Sequence, residues 1–263
     1  MQNSFGNTLK DWRNQRRMSQ LDLGLAANVS ARHISFLETG RSQPSRPMVL
    51  QLCKTLEVPH NARNTLLNAA GFASPYQERD LDQPEMMDVR RALEWTLDRH
   101  DPFPAFALDR HWNVIKANNA ASQMLAATGL SENPSLLKLL LDPDLIKQLL
   151  ENWQEVTHHM INRLKTENAY LGGDAVLEDA IQNLSEILGD WLPEHVGSLP
   201  PFTPAKYKMA GQTLSLFSTI AQFGTAEDIT LAELKIEMMF PADEITHAML
   251  LAMSGQNSNV RSH

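Results

Sequence analysis

Residues 19–38 read SQLDLGLAANVSARHISFLE, and this stretch decides the fold of the N-terminal part of the chain. Ser19 and Ser30 are residue types that cap helix N termini, and each precedes a segment with helical apolar spacing. Asn28 stands between the two segments, where a tight turn needs a positive φ that asparagine tolerates. The stretch therefore predicts two short helices joined by a tight turn. The residues expected to point inward are Leu23, Ala27, Val29, Ile34 and Leu37.

The same helical spacing extends on both sides of this stretch, with Ser, Asn, Gly and Pro at the expected helix ends. It predicts an all-α domain of five short helices. They are expected at residues 6–17, 20–27, 31–38, 46–56 and 60–70. The predicted organisation of the whole chain is this N-terminal domain at 1–75, a linker and connecting helix at 76–100, a second domain at 101–255 and a flexible tail at 256–263.

Helical and extended patterns alternate after the linker. Helices are expected at 85–99, 118–127, 135–141, 144–166 and 174–189. Strands are expected at 105–108 and 112–117, which flank Asp109-Arg110-His111 as a hairpin, and later around 207–209, at 213–223 and at 232–238. The simplest assembly is an α+β domain in which helices pack on one face of a five-stranded antiparallel sheet.

The composition is that of a folded protein, because 43% of the 263 residues are hydrophobic and 21% are charged. No apolar run approaches the ~18 residues that cross a bilayer, and the first thirty residues lack the apolar centre of a signal peptide. We therefore expect a soluble, cytoplasmic protein with no membrane partner. The single cysteine, Cys53, excludes an internal disulfide and a zinc site with two or more thiolates.

The net charge of −8 is unevenly distributed. Residues 1–75 carry nine Lys and Arg against four Asp and Glu, whereas residues 76–263 carry fourteen against twenty-seven. A basic small module joined to an acidic larger one indicates that the first meets a polyanion. Arg13, Arg16 and Arg17 are interpreted as an ordinary solvated face, with an approach of Arg16 and Arg17 to a nucleic-acid backbone as the alternative.

The second helix of the quoted stretch has an outer face suited to the major groove of DNA. Arg32 can donate two hydrogen bonds to guanine N7 and O6, and Ser35 can bond a base or a phosphate. Ala31 and Phe36 can contact thymine methyl groups, and His33 lies near the edge of this face. The alternative is a helical bundle that only contacts protein.

About ten positions of this region resemble the helix-turn-helix of the XRE family, which is related to phage repressors. The positions are Ser19-Gln20, Leu23, Val29-Ser30, Ile34-Ser35, Leu37-Glu38, Gly40 and Pro44-Ser45. The resemblance implies a phage-repressor-like domain whose recognition helix is residues 31–38, with phosphate contacts from Gln20, Arg41 and the amides near Ser45. The implied DNA-binding residues are Ser19, Gln20, Ser30, Ala31, Arg32, His33, Ser35, Phe36, Arg41 and Ser45.

Two residues depart from the family pattern. Gly24 stands where such helices usually have alanine, at a cost of ~1 kcal/mol in helix propensity. Phe36 is apolar where polar readers are common, so it either reads a methyl group or packs against a partner.

Further stretches resemble the MmyB-like transcription regulators, in which a ligand-binding domain with a PAS-like fold follows an XRE helix-turn-helix. In the second domain they are Asp109-Arg110-His111-Trp112-Asn113, Phe223-Gly224-Thr225, Thr230-Leu231-Ala232-Glu233-Leu234 and Phe240-Pro241-Ala242-Asp243-Glu244. The resemblance spans nearly the whole chain. It implies an apolar cavity between the sheet and the helices.

Alternation along the strands supplies the candidate lining of that cavity, although every member could instead be core. The candidates are Phe106, Leu108, Trp112, Val114, Tyr207, Met209, Phe217 (or its alternates Leu216 and Ile220), Leu234, Ile236 and Met238. Twelve methionines and few charges at these positions favour a small apolar or acyl-chain ligand.

No motif for catalysis, metal or cofactor binding stands out. His158-His159 are adjacent and point about 100° apart on a helix, and no HExxH, GxSxG or phosphate-binding glycine loop is found. We therefore expect no enzyme, no cofactor and no metal. The expected function is a transcription regulator, with repression favoured, that binds an inverted repeat of double-stranded DNA as a homodimer. The rivals are a constitutive regulator whose second domain only dimerises or docks a protein, and a catalytic second domain.

Overall fold

A computed structural model describes residues 4–129, 134–193, 202–209, 211–224 and 226–258. The chain forms two compact units, one of residues 1–79, 166–175 and 225–232, and one of residues 80–165, 176–224 and 233–263. In the described part of the chain we find no helix with the length and apolar character that a membrane crossing requires. The predicted tail is helical at 256–258, and its last residues, 259–263, lie outside the described ranges.

The first unit contains the five predicted helices, which are confirmed, each with ends within two residues of the prediction. They are α1 (Phe5–Gln15), α2 (Gln20–Ala26), α3 (Ala31–Glu38), α4 (Arg46–Thr55) and α5 (His60–Ala69). Side chains of Ser19, Ser30 and Ser45 accept hydrogen bonds from the first turns of α2, α3 and α4. These caps satisfy backbone donors that a helix start leaves unpaired.

The helices enclose one apolar core, which includes Leu23, Ile34 and Leu37. Asn28 adopts a φ of 51° in the turn between α2 and α3. Gly24 has a packing reason, because a Cβ there would lie 2.6 Å from the carbonyl oxygen of Val29. The glycine therefore lets α2 approach the start of α3 closely.

Two segments from later in the chain complete the first unit. In the first segment, the carbonyl of Ala169 accepts a hydrogen bond from Arg16 at 3.4 Å, and Gly172 lies against the ring of Trp12. In the second, Asp228 forms an ion pair with Arg79 at 2.9 Å. The helix-turn-helix bundle is thus packed against residues that the sequence places in the second half.

The second unit is an α+β fold with a five-stranded antiparallel sheet in the order β2-β1-β5-β4-β3, which confirms the predicted class. Its strands are β1 (Ala105–Leu108), β2 (Val114–Ala117), β3 (Ala205–Met209), β4 (Gln212–Ala221) and β5 (Lys235–Pro241). Its helices, of which α10 and α12 extend into the first unit, are α6 (Met87–His100), α7 (Asn119–Ala127), α8 (Leu136–Leu140), α9 (Pro143–Leu149), α10 (Trp153–Leu171), α11 (Ala175–Leu188), α12 (Ile229–Glu233) and α13 (Glu244–Ser258).

The single helix predicted at 144–166 is wrong, because the chain leaves the helix between α9 and α10. The amide of Glu151 donates to the carbonyl of Lys206 at 2.9 Å, and Leu150 pairs with Tyr207. The interruption therefore follows the outer edge of β3 and satisfies backbone groups of that edge.

The strand predicted at 232–238 begins only at Lys235, because Ile229–Glu233 form a short helix. The strand predicted at 112–117 begins at Val114, because Trp112 has a φ of 63° and lies in the turn. In addition, the pairing of β1 with β2 is shifted between Ala107 and Leu108. Alternation read from sequence alone therefore fails near these strand ends.

Helices lie on both faces of the sheet, not on one. The register places Lys116 and Phe240 on the same face. Lys116 contacts Glu94 of α6, and the Phe240 ring lies 4.9 Å from the ring of His100 at the end of α6. The opposite face, which carries Phe106 and Met239, meets the remaining space between sheet and helices.

Candidate DNA interface and ligand cavity

The outer face of α3 is accessible, as the sequence predicts. Ile34 and Leu37 are buried, while Arg32 is exposed and Ser35 and Phe36 are half-buried. Ala31 and His33 are also half-buried, and Ser30 caps the helix by accepting from the His33 amide at 3.2 Å. Five side chains of α3 can therefore contact another molecule while the helix stays packed on the core of the bundle.

Arg32 and Phe36 are coupled within this face. The guanidinium carbon of Arg32 lies 5.2 Å from the centre of the Phe36 ring, one helical turn away. A planar guanidinium over a ring face is attracted by the ring quadrupole, and this limits its rotamers. Phe36 therefore holds the donors of Arg32 in a restricted direction.

The side chains at the start of α2 are engaged within the protein. Ser19 and Asp22 form a reciprocal capping box, in which the Ser19 hydroxyl accepts from the Asp22 amide and the Ser19 amide donates to the Asp22 carboxylate. Gln20 donates to Glu38 at 2.8 Å. Glu38 is itself held by Arg13, which is buried, so the interpretation of Arg13 as part of a solvated face is wrong. The charge of Arg13 is neutralised inside the bundle.

Arg41 and Ser45 lie beyond the C-terminal end of α3. Arg41 is exposed, and Ser45 caps α4 by accepting from the Met48 amide at 3.4 Å. Arg46, which our sequence analysis missed, is exposed at the first position of α4. Within the described ranges no ion pair engages Arg32, Arg41 or Arg46. Arg46 directly follows Ser45, a predicted phosphate-contacting residue, and this position in the sequence could have identified it as a further candidate.

The second unit contains a cavity of about 900 Å³ between the sheet and helices α7 to α10. Much of its lining is apolar. The larger apolar side chains from the helices are Met124, Leu125, Leu136, Leu139, Leu140, Leu149, Val156 and Met160. A space of this size falls within the ~300–1,000 Å³ of small-molecule sites.

Half of the predicted lining borders this cavity. These residues are Phe106, Trp112, Tyr207, Met209 and Phe217, with the alternate Leu216. The cavity is not bordered by Leu108, Val114, Leu234, Ile236 or Met238, nor by the alternate Ile220. The prediction that Ile236 and Met238 line the cavity is wrong. Glu237 and Met239 of the same strand face the cavity, and because side chains alternate along a strand, Ile236 and Met238 point to the opposite face of the sheet. Leu234 precedes the strand, and Leu108 pairs with Val114 where the ladder is irregular, so these side chains fill space at the strand ends.

Polar groups reach the cavity from two sides. Arg163 of α10 lies with its guanidinium carbon 4.9 Å from the centre of the Trp112 ring. On the sheet, burial raises the pKa of the Tyr207 phenol, and the nearby Glu237 carboxylate raises it further. Tyr207 is therefore a neutral hydroxyl at physiological pH and can donate or accept a hydrogen bond.

The contribution of α10 was missed by the sequence analysis, which sought the lining only on strands. Val156, Met160 and Arg163 follow one another by four and three residues and share one side of the helix. His158 and His159 also border the cavity, with ring centres 5.8 Å apart and planes at 82°. Among the described residues no group of three His, Cys, Asp or Glu side chains is arranged to hold a metal ion.

The fold and these two sites define a helix-turn-helix protein with a PAS-like second unit that contains a cavity. Residues 89–253 match the family model of the MmyB-like transcription regulator ligand binding domain, and residues 4–66 match the model of a helix-turn-helix domain. The chain belongs to the MmyB-like family. It is a DNA-binding transcription regulator with a ligand-binding domain, and regulators of this type are generally not enzymes. A comparison with curated proteins gives no match.

Proposed function

We propose that this protein is a sequence-specific repressor that binds an inverted repeat as a homodimer and responds to a small apolar or acyl-chain ligand. The observation that carries the proposal is the accessible face of α3, where Phe36 restricts the guanidinium of Arg32. A preoriented guanidinium suits bidentate binding to guanine. Arg41 and Arg46, exposed beyond α3, supply charge for phosphates without reading sequence.

The dimer sets the form of the operator. Two recognition helices that enter successive major grooves must lie ~34 Å apart, so half-site centres should be ~10 bp apart. Selection of bound duplexes from random DNA should yield inverted repeats with this spacing. Equal affinity for every duplex and for heparin, or a single protein chain on each selected duplex, would contradict the proposal.

The cavity favours the hypothesis that the second unit senses a ligand. The alternative, a constitutive regulator, would have a second unit with a fully packed interior. Its apolar walls suit a chain of methylene groups, while Arg163 and Tyr207 offer polar partners for one end of such a molecule. Native mass spectrometry of the purified protein, before and after extraction with organic solvent, tests this. A retained small molecule that changes operator affinity when removed supports sensing, and an extracted protein with unchanged affinity supports the constitutive rival.

Two covalent routes lead from the cavity to the helix-turn-helix unit. Helix α10 runs without interruption from Val156 and Arg163, which border the cavity, to residues 166–171 of the first unit. Residues 226–232 of the first unit lead directly into β5, whose Glu237 borders the cavity. A ligand acts through these routes only if it binds two arrangements of them with different affinity.

The sign of regulation has a separate test. A reporter under the selected operator should be expressed more strongly when the regulator is absent, because a bound dimer blocks the promoter. A decrease in expression would identify an activator and leave the DNA-binding part of the proposal intact.

A further inference from the structure

Helix α6 carries a stripe of exposed residues on the side turned away from the core. At about 100° per residue these positions lie within about 60° of one another, whereas the buried Leu93 and Leu97 lie on the other side. The members of this α6 stripe are Asp88, Ala92, Trp95 and Arg99.

Trp95 dominates the stripe. It is 62% exposed although it is the largest apolar side chain of the helix, and the guanidinium carbon of Arg99 lies 5.4 Å from its ring centre. Tryptophan and arginine on a rigid helix are the residue types most enriched among energetically dominant contacts between proteins. Ala92, one turn earlier, leaves room for a large side chain from a partner.

The order of the residues makes the stripe complementary to itself. When two copies of α6 run antiparallel about a two-fold axis near residues 93 and 94, Trp95 of each copy meets Ala92 of the other. The same register places Asp88 of each copy beside Arg99 of the other, so two opposite-charge contacts flank two apolar ones. Such isologous pairing is the rule for two-fold symmetric dimers.

We propose that α6 is a dimer interface, in which the α6 stripes of two copies of this chain pair antiparallel. The inference rests on the proposed function, since it supplies the contact for the homodimer proposed there. It also commits the surface to a second copy, because the charges at the two ends match only when the helix meets itself in the opposite direction.

The alternative explanation of these charges is local. Asp88 lies in the first turn of α6 and Arg99 in the last, where each favours the helix dipole of its own chain, and Asp88 also pairs with Arg91 of the same helix at 3.6 Å. A test must therefore separate a contact between chains from a contribution within one chain.

Charge-reversal variants, measured alone and as a mixture of two variant proteins, distinguish a contact between chains from an effect within one chain. Asp88→Arg and Arg99→Asp each place like charges in both contacts, and each should raise the dimer dissociation constant at least about tenfold, measured by analytical ultracentrifugation. Mixing the two variants creates a heterodimer with both contacts opposite in sign. Native mass spectrometry should then show heterodimers in large excess over both homodimers, although each chain keeps its unfavourable helix-dipole charge. A statistical mixture of dimers would overturn the proposal.

Trp95 provides the second measurement. Trp95→Ala should weaken dimerisation at least about 30-fold, while the matched control Tyr170→Ala, an exposed aromatic on α10, should leave it unchanged. Circular dichroism verifies that both variants fold. A wild-type dimer that is indifferent to all these variants would refute the interface but not the DNA-binding homodimer. A wild-type chain that stays monomeric alone and on its operator would refute both.

Discussion

The guanidinium of Arg13 and the carboxylate of Glu38 form a two-pronged ion pair inside the helix-turn-helix bundle. Nε donates to Oε1 at 2.6 Å and Nη2 to Oε2 at 3.0 Å. The same arginine donates to the carbonyl of Met18 at 2.8 Å, and Glu38 also accepts from Gln20. The pair therefore ties α1, the start of α2 and the end of α3 together inside the bundle.

Removing one partner of this pair should be costly. Arg13→Met and Glu38→Gln should each lower the free energy of unfolding by about 3–5 kcal/mol in urea, because the remaining group loses its partner in a buried place. The double variant Arg13→Met/Glu38→Gln should lose less than the two single changes combined. Arg41→Met, at an exposed position, is the control and should change stability by less than about 0.5 kcal/mol. Strictly additive losses would show that the two residues act independently.

Arg32 and Phe36 should affect DNA recognition together. Arg32→Ala should cost about 1–3 kcal/mol on the selected operator and relax discrimination at one base position. Phe36→Leu keeps an apolar group but removes the ring, so it should relax the same position to a smaller extent. Arg41→Ala should weaken all duplexes alike. The measurement is binding to a panel of single-base operator variants, and a uniform loss for Arg32→Ala would contradict base reading.

The capping box of α2 should be visible in the titration of Asp22. Hydrogen bonds from the Ser19 side chain, and then from its backbone amide, lower the pKa of Asp22 below its usual value of 3.8. A lowered carboxyl pKa adds stability above the unfolded pKa, and this stability is lost as the pH falls through the folded pKa. An NMR titration should show the Asp22 pKa moving up in Ser19→Ala and staying in place in Ser45→Ala, which removes a different cap. The same pKa in the wild type and in Ser19→Ala would rule out a hydrogen bond from the Ser19 side chain to the Asp22 carboxylate.

Gly172 should be far less replaceable than Gly71. Both have positive φ, 90° and 83°, and alanine in that region costs roughly 1–2 kcal/mol. Around Gly71 no heavy atom of the described residues, apart from the glycine and its two chain neighbours, lies within 4 Å of an added Cβ. At Gly172 the Cβ would overlap the buried ring of Trp12. Thermal denaturation should therefore show a clearly larger loss for Gly172→Ala. Equal losses would mean that the segment at 166–175 does not pack on Trp12 in solution.

Local signals in the sequence were sufficient for the five N-terminal helices, but not for the later segments that complete their unit. Caps at Ser19, Ser30 and Ser45 and the turn residue Asn28 act within a few residues, so their spacing fixes the helices directly. The break before α10 could not be predicted in this way. It depends on a hydrogen bond that the backbone amide of Lys206, a strand residue 54 positions later, donates to the side-chain oxygen of Asn152.

Alternation in β5 identified two faces but not which of them meets the cavity. The alternation predicts that the apolar side, with Ile236 and Met238, lines the ligand site. The structure places Glu237 and Met239 there, because α6 covers part of the opposite face, so both sides of the sheet are shielded from water. When both faces of a sheet are covered, hydrophobicity no longer tells them apart.

The short segment between α9 and α10 has a consequence beyond the shape of the cavity. An uncovered outer strand exposes a row of amides and carbonyls on which misfolded chains can grow by strand addition. Here the carbonyl of Lys206 on β3 already accepts a hydrogen bond from the Glu151 amide, and the amide of Lys206 already donates to the Asn152 side chain. Strand addition at Lys206 would first have to break these two hydrogen bonds, so this part of the β3 edge resists growth by strand addition.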